Sequence, residues 1–319
     1  MKVLLTVRPG ESAFSGPSRD SWRSPAYDVG HQDVRRSRNP SGGTNMRQRA
    51  CRAVAAGAVA LVGTVALGGA ATGSPTGGAS GLREAHAPRI PGPAPKAVPG
   101  AAAVKEWTSR NWSGYAVTGT GFTSVTGNWH VPQAQAPTKK RHYRRGTFSS
   151  SWVGIDGYNN SSLIQAGTEQ DWLNGHAFYR AWWEILPAPE TPIRSLAVNP
   201  GDGITVSITQ GAPDWTITVT DTTTNRSFTT TQLYVGPMTS AEWIQEAPTI
   251  GRHVVTLTPD STVVFDSGTV DGGNPGLLAS ESGAMFKGRH RISTPSLPDT
   301  DTDGFAIAYG SAAPGPPGS

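Results

Sequence analysis

Ile204-Thr205-Val206-Ser207-Ile208-Thr209 and Trp215-Thr216-Ile217-Thr218-Val219-Thr220-Asp221 flank the turn formers Gly211-Ala212-Pro213-Asp214. Apolar and polar residues alternate through both runs, and most are β-branched, so each reads as a short half-buried strand. The pattern continues outward. Downstream lie Ser227–Leu233, Ala241–Glu246, His253–Leu257, Val263–Val270, Ala284–Ile292 and Phe305–Tyr309. Upstream lie Phe122–Val131, Phe148–Ile155, Ser162–Glu169 and Ala177–Leu186. Clusters such as Asn199-Pro200-Gly201-Asp202-Gly203 and Asp271-Gly272-Gly273-Asn274-Pro275-Gly276 punctuate them. No amphipathic pattern lasts longer than two helical turns. About a dozen strands in roughly 200 residues predict an all-β antiparallel domain, a two-sheet sandwich or a barrel, over residues 105–311.

Composition agrees. Gly and Pro number 39 and 26 of 319 residues, about a fifth of the chain against roughly 12% in average proteins, which excludes a long-helix protein or coiled coil. A single cysteine excludes an internal disulfide framework and a multi-cysteine zinc site. The net charge of +4 divides unevenly: residues 1–104 hold 13 Lys and Arg and 5 Asp and Glu, and the remainder holds 14 and 18. The basic character therefore belongs to the leader, and nucleic acid is not an expected partner.

Residues 1–45 are polar and lack apolar periodicity, as in a disordered extension or a sequence upstream of the true start. From Met46, the basic residues Arg47, Arg49 and Arg52 precede an uncharged run from Ala53 to Ala71 that ends in Gly69-Ala70-Ala71. That is a signal peptide over 46–71, with a signal anchor as the rival reading. It predicts a secreted, extracellular protein, free of the membrane and of cysteine once cleaved. Residues 72–104, rich in Gly, Ala and Pro, read as a linker or removable propeptide, and 312–319 as a loose tail. A monomer is expected.

The familiar nucleophile and metal signatures are missing: there is no Gly-x-Ser-x-Gly and no His-Glu-x-x-His. His130, His142, His176, His253 and His290 read as surface or hydrogen-bonded strand residues. Asp299-Thr300-Asp301-Thr302-Asp303-Gly304 copies the first half of a calcium loop, but its twelfth position is Gly310 where a bidentate Glu belongs, so it reads as an acidic turn before a strand. No cofactor or metal is expected. Lys139–Arg145, six of whose seven residues are Lys, Arg or His, reads as a solvated loop, with a processing site or an anion contact as alternatives. Nine of the ten Trp fall between Trp107 and Trp243. Most belong in a core, and the others suit a substrate groove.

What remains is a set of acids and amides inside apolar strands, where ionisable groups sit only when paired or functional. Alternation places Glu242, Ile244 and Glu246 on one face of their strand, and Trp243 and Gln245 on the other.

Asn111-Trp112-Ser113-Gly114, Trp-Val-Gly-Ile-Asp-Gly at 152–157, Ile-Gln-Ala-Gly at 164–167, Ala-Trp-Trp-Glu at 181–184 and Ala-Glu-Trp-Ile-Gln-Glu at 241–246 occur in the order and spacing of one family. Over about 105–275 the chain resembles the glutamic peptidases, or eqolisins. The resemblance implies a sandwich of two antiparallel sheets of the concanavalin or lectin-like jelly-roll type. It also implies a catalytic Gln165 and Glu246, with Trp112, Trp152, Asp156 and Glu184 lining or supporting the cleft. Arg180, Ile185 and Leu186 depart from the fungal pattern, in the direction of a bacterial-type member.

The chemistry implied is a secreted endopeptidase acting on polypeptides in acid, without metal or covalent nucleophile. A carboxylate with a pKa near ~4.3 takes a proton from water and returns it to the leaving nitrogen. A Gln amide offers two N–H donors and one acceptor at any pH, and a Gln–Glu pair escapes the repulsion of two carboxylates. Two alternatives remain at this point. One is a sandwich glycoside hydrolase using Glu184 and Glu246, and the other a non-catalytic carbohydrate-binding module.

Overall fold

The computed structural model describes residues 84–94, 106–139 and 145–318. The expected extension, the signal peptide, both ends of the linker 72–104 and the centre of the basic loop lie outside them.

Nineteen strands and one 3₁₀ turn are described. The first eight are β1 (Glu84–Ala85), β2 (Trp107–Ser109), β3 (Trp112–Thr118), β4 (Ser124–His130), β5 (Ser150–Ile155), β6 (Ile164–Leu173), β7 (His176–Ile185) and β8 (Thr191–Pro192). Then come β9 (Gly203–Gln210), β10 (Trp215–Asp221), β11 (Arg226–Gln232), β12 (Ser240–Glu246), β13 (Thr249–Ile250) and β14 (His253–Val254). The last are β15 (Val263–Phe265), β16 (Thr269–Val270), β17 (Ser282–Lys287), β18 (His290–Pro295) and β19 (Phe305–Tyr309).

One hydrogen-bonded path runs β11-β10-β9-β4-β15-β19-β18-β17-β3-β12-β5-β6-β7-β8. Its pairings are antiparallel, and off the path β2 joins β17 in parallel. The path folds into the two layers of a sandwich, because β4 and β9 pack across β5, β6 and β12. Alternation explains the shared core. Ile204, Val206, Ile208, Ile217 and Val219 project from one layer toward Val153, Ile155, Ile164, Ala166 and Trp243 of the other.

The second layer is buried on its far side too. There Trp112, Ala116, Trp152, Trp182 and Ile244 form a separate apolar cluster with Trp107 and Leu163. Polar residues alternating with that cluster therefore have no bulk water to face. Their burial needs partners or a function.

Several boundaries differ from expectation. Trp112–Thr118 is a strand that the expected series does not include. In the structure Gly114 has φ +143°, and a Cβ there would lie 2.1 Å from the Trp243 carbonyl oxygen, so this central strand needs a residue of low strand propensity. Val263–Val270 divides into β15 and β16 around Asp266 and Ser267. Ala284–Ile292 is not one strand but the hairpin β17–β18, turning at Gly288 with φ +64°. His253–Leu257 shortens to β14. His130, His176, His253 and His290 are exposed strand residues, as expected.

Candidate active site

β12 lies between β3 and β5, and β5 pairs with β6 and β6 with β7. Register decides what shares a face. Glu246 stands opposite Trp112 and Ser150, Trp152 opposite Ile244 and Gly167, and Gln165 opposite Gly154 and Glu184. With side chains alternating along each strand, Trp112, Trp152, Gln165, Glu184 and Glu246 all project from the far side of the layer. All five are fully buried. Gln165 and Glu246 sit on β6 and β12 with β5 between them, and Trp152 forms the floor.

Two glycines make that floor possible. A Cβ on Gly154 would approach the Trp152 ring to 3.0 Å, and one on Gly167 would approach Trp152 Cβ to 2.5 Å. The indole lies in the space their missing side chains leave, and it meets Trp112 edge-on at 4.9 Å between ring centroids.

Glu246 is held by donors. Trp152 Nε1 donates to Glu246 Oε2 at 2.9 Å, and Asn111 Nδ2 donates to Glu246 Oε1 at 3.4 Å. Gln165 Nε2 donates to Glu184 Oε2 at 2.7 Å, while Gln165 Oε1 and Glu184 Oε1, both buried, have no protein partner. Burial, and then the negative charge of Glu246, push the Glu184 carboxyl up to about 7, against the opposing pull of His86 and the Gln165 amide. Glu242, on the same face four residues from Glu246, is raised well above the usual carboxylate range by burial.

Asp156 belongs elsewhere in the architecture. It follows β5 with φ +73° and accepts hydrogen bonds from Tyr234 Oη (2.6 Å), Met238 N (2.9 Å) and Thr239 N (2.9 Å). It organises the chain entering β12 and so sets that strand's position from a distance.

Residues absent from the expected set also meet here. His86, from the stretch read as a linker, is fully buried against the site. Its ring stacks on Trp182 at 3.7 Å and 12°. Nδ1 lies 3.0 Å from Glu246 Oε2, and Nε2 lies 3.3 Å from Glu190 Oε2 and 3.7 Å from Glu169 Oε1. Ala87 N donates to Glu246 Oε1 at 3.2 Å. Beyond them, Arg180 pairs with Glu84, Glu169 and Glu190. The sequence did hold a signal: Arg83, Glu84, His86 and Arg89 crowd together in an otherwise almost uncharged Gly/Ala/Pro stretch.

The fold is a two-layer antiparallel β-sandwich, one sheet face of which carries the buried side chains of Gln165, Glu184 and Glu246. The chain belongs to the Peptidase A4 family, which matches residues 110–289 and whose members cleave peptide bonds. It is 27% identical to Aspergillopepsin-2 of Aspergillus niger over 228 residues, 65% of this chain and 80% of that protein. It is 30% identical to Scytalidopepsin B of Scytalidium lignicola over 100 residues, 31% of this chain and 35% of that protein. The fold matches a crystal structure of scytalido-glutamic peptidase with a transition state analog inhibitor. The TM-score is 0.54 at 21% identity, over 63% of this chain and 98% of that one. Among the described residues, no helix is long and apolar enough to cross a membrane.

Proposed function

We propose that this peptidase is a secreted endopeptidase, working in acid, in which Glu246 is the general base and Gln165 the oxyanion partner. The observation that carries the reading is their shared burial on one face, separated by a single strand and floored by Trp152.

The Glu246 carboxylate takes a proton from a water molecule as the water oxygen bonds to the scissile carbonyl carbon. The carbonyl oxygen becomes an oxyanion. Gln165 has two amide N–H groups: the bond to Glu184 uses one and fixes the amide's orientation, and the other is left for the oxyanion. Its Oε1, which has no protein partner, is an acceptor for the attacking water. Glu246 then passes its proton to the leaving nitrogen, the C–N bond breaks, and a carboxylic acid and an amine separate. Glu184, neutral through the acid range because it is pushed up to about 7, adds no negative charge beside the oxyanion. Trp152 and Asn111 hold Glu246 in the direction of the water.

The test is a pair of near-isosteric changes. Glu246→Gln abolishes turnover of denatured protein while melting like the parent, and Gln165→Glu is nearly as damaging, because a second carboxyl brings repulsion or an unwanted proton. Gln165→Ala loses roughly 10²–10³ in rate, the usual cost of one oxyanion donor. A folded Glu246→Gln enzyme hydrolysing protein at the parental rate ends the assignment. Secretion is tested separately. In a secreting host the product reaches the medium with an N-terminus beyond Ala71, and an intact N-terminus before Met46 refutes the leader.

A further inference from the structure

Asp299-Thr300-Asp301-Thr302-Asp303-Gly304 forms the loop between β18 and β19, and the chain between β15 and β16 brings Asp266 to it. We propose that Asp266, Asp299 and Asp303 bind a calcium ion, which ties the loop before β19 to the segment after β15. None of the three lies on β5, β6, β7 or β12, which carry the cleft residues. The site therefore stands or falls independently of Glu246 and Gln165.

One carboxylate oxygen from each aspartate lies within 4.8 Å of the other two. A single calcium ion spans such a set, because oxygen ligands at about 2.3–2.6 Å from the ion can stand up to roughly 5 Å apart. The backbone holds the arrangement. Asp303 N donates to Asp299 Oδ1 at 3.2 Å, and Asp299 N donates to the Gly304 carbonyl at 2.9 Å, so the loop closes on itself. Gly268 N donates to the Asp303 carbonyl at 2.8 Å, and Asp266 N to the Asn128 carbonyl at 2.9 Å, which fixes the second segment beside the first. Asp301 is exposed and outside the cluster. Asp266 takes the place that the calcium-loop pattern gives to a residue of the loop itself.

Burial is what points to a ligand. Asp299 is only 6% exposed, and its Oδ2, like Oδ1 of Asp303, is shut off from solvent without a hydrogen-bond partner. Asp299 Oδ2 and Asp266 Oδ1 both face the space that Gly304 leaves. A Cβ there would collide with the first and lie 3.1 Å from the second. Among the described residues no Lys, Arg or His forms an ion pair with the three. Carboxylate oxygens of like charge, crowded and cut off from water, are strongly unfavourable without a countercharge. A set made only of oxygens selects a hard cation over zinc or copper. Magnesium keeps most of its water and uses one or two carboxylates, whereas three carboxylates on a preformed cradle suit calcium, with water completing its shell.

The ion would act on stability. A Cβ on Gly268 would lie 2.9 Å from Trp243 Nε1 and 3.1 Å from the Asp303 carbonyl oxygen. The braced loop thus closes on the core side of β12, where Trp243 packs, opposite the face that carries Glu246.

The experiment titrates calcium chloride into chelator-treated full-length protein at about pH 7, where free aspartate is ionised. One ion is expected to bind with Kd of about 10⁻⁴–10⁻³ M and to raise Tm by a few degrees at roughly tenfold excess over Kd. Magnesium is expected to bind at least tenfold more weakly. Asp299→Asn and Asp303→Asn each remove the response. In chelator both melt at or above the parent, because one of the crowded charges is gone. Terbium reads the site in the parent without any variant: Trp243, beside Gly268, sensitises its emission, and added calcium displaces it. Absence of calorimetric binding and of a Tm shift in the parent overturns the site, as does a full response in both variants or terbium emission that calcium leaves unchanged. Equal binding of magnesium overturns calcium as the ion.

Discussion

Trp152 and Glu246 stand on neighbouring strands, and the indole Nε1 of one donates to Oε2 of the other at 2.9 Å, both side chains fully buried. Of the donors to this carboxylate, Trp152 is the one whose own position is fixed on both sides by glycine. Trp152→Phe keeps the aromatic floor and removes the donor. Hydrogen bonds to charged groups contribute about 1.5–3 kcal/mol, so kcat is expected to fall roughly 10- to 100-fold with KM little changed. Steady-state kinetics of a variant whose melting matches the parent checks this. An equal rise in KM would assign Trp152 to substrate binding.

The sheet was legible for a physical reason, whereas the two catalytic candidates came from the resemblance of five short motifs to one family. Alternation with period two is local, so Trp215–Asp221 and Phe305–Tyr309 could be read to the residue, and the face of Glu246 followed from its neighbours alone. Pairing is not local. Nothing in Gln165 or Glu184 indicates that the two stand in register across β6 and β7. The need for Gly114 is likewise set by the Trp243 carbonyl of an adjacent strand. The place of His86 was hidden more deeply. Its partners come from residues 169, 190 and 246, and a stretch without periodicity gives no face to assign.

Glu184 should make stability fall with rising pH. Its folded-state carboxyl is pushed up to about 7 from an ordinary 4.5. The native chain therefore holds a proton that the unfolded chain releases, and this stabilisation is present below 4.5 and lost as pH rises through about 7. The corresponding energy is on the order of 3 kcal/mol. Asp260, also raised to about 7 by burial, adds in the same direction. Thermal melts from pH 4 to 8 are expected to show a shallower decline in Glu184→Gln than in the parent, with the Asp260 share remaining. An unchanged slope would mean that Glu184 ionises freely.

Inhibitor class separates catalysis from the calcium cluster. The proposed dyad needs no metal, thiol or serine, so chelators, thiol reagents and serine-directed reagents are expected to leave the rate of the enzyme unchanged well below its melting temperature. The chelator should lower only the thermal midpoint. Initial rates measured beside melts check this. Loss of rate at low temperature, restored by calcium, would give the cluster of Asp266, Asp299 and Asp303 a part in turnover.

Gly167→Ala tests the floor of the site without touching a polar group. A Cβ at this position would lie 2.2 Å from the Ser151 carbonyl oxygen, 2.5 Å from Trp152 Cβ and 2.8 Å from Trp152 Cα. Two of these are backbone atoms in a strand buried on both faces, so they cannot rotate aside as the end of a long side chain could. The overlap has to be relieved by moving β5 or Trp152, and overpacking of this kind costs about 1–3 kcal/mol. Because Trp152 Nε1 holds Glu246, the displacement reaches the base as well as the fold. The variant should melt several degrees below the parent and lose activity beyond what its unfolded fraction explains. Gly175→Ala is the control: it sits at a turn with φ +87° and open space around it, so it strains the backbone without reaching the cleft. Loss of stability alone is expected there, measured as a lower Tm with kcat unchanged for the folded fraction. Equal kcat losses in the two variants would show that the glycine floor does not position Trp152.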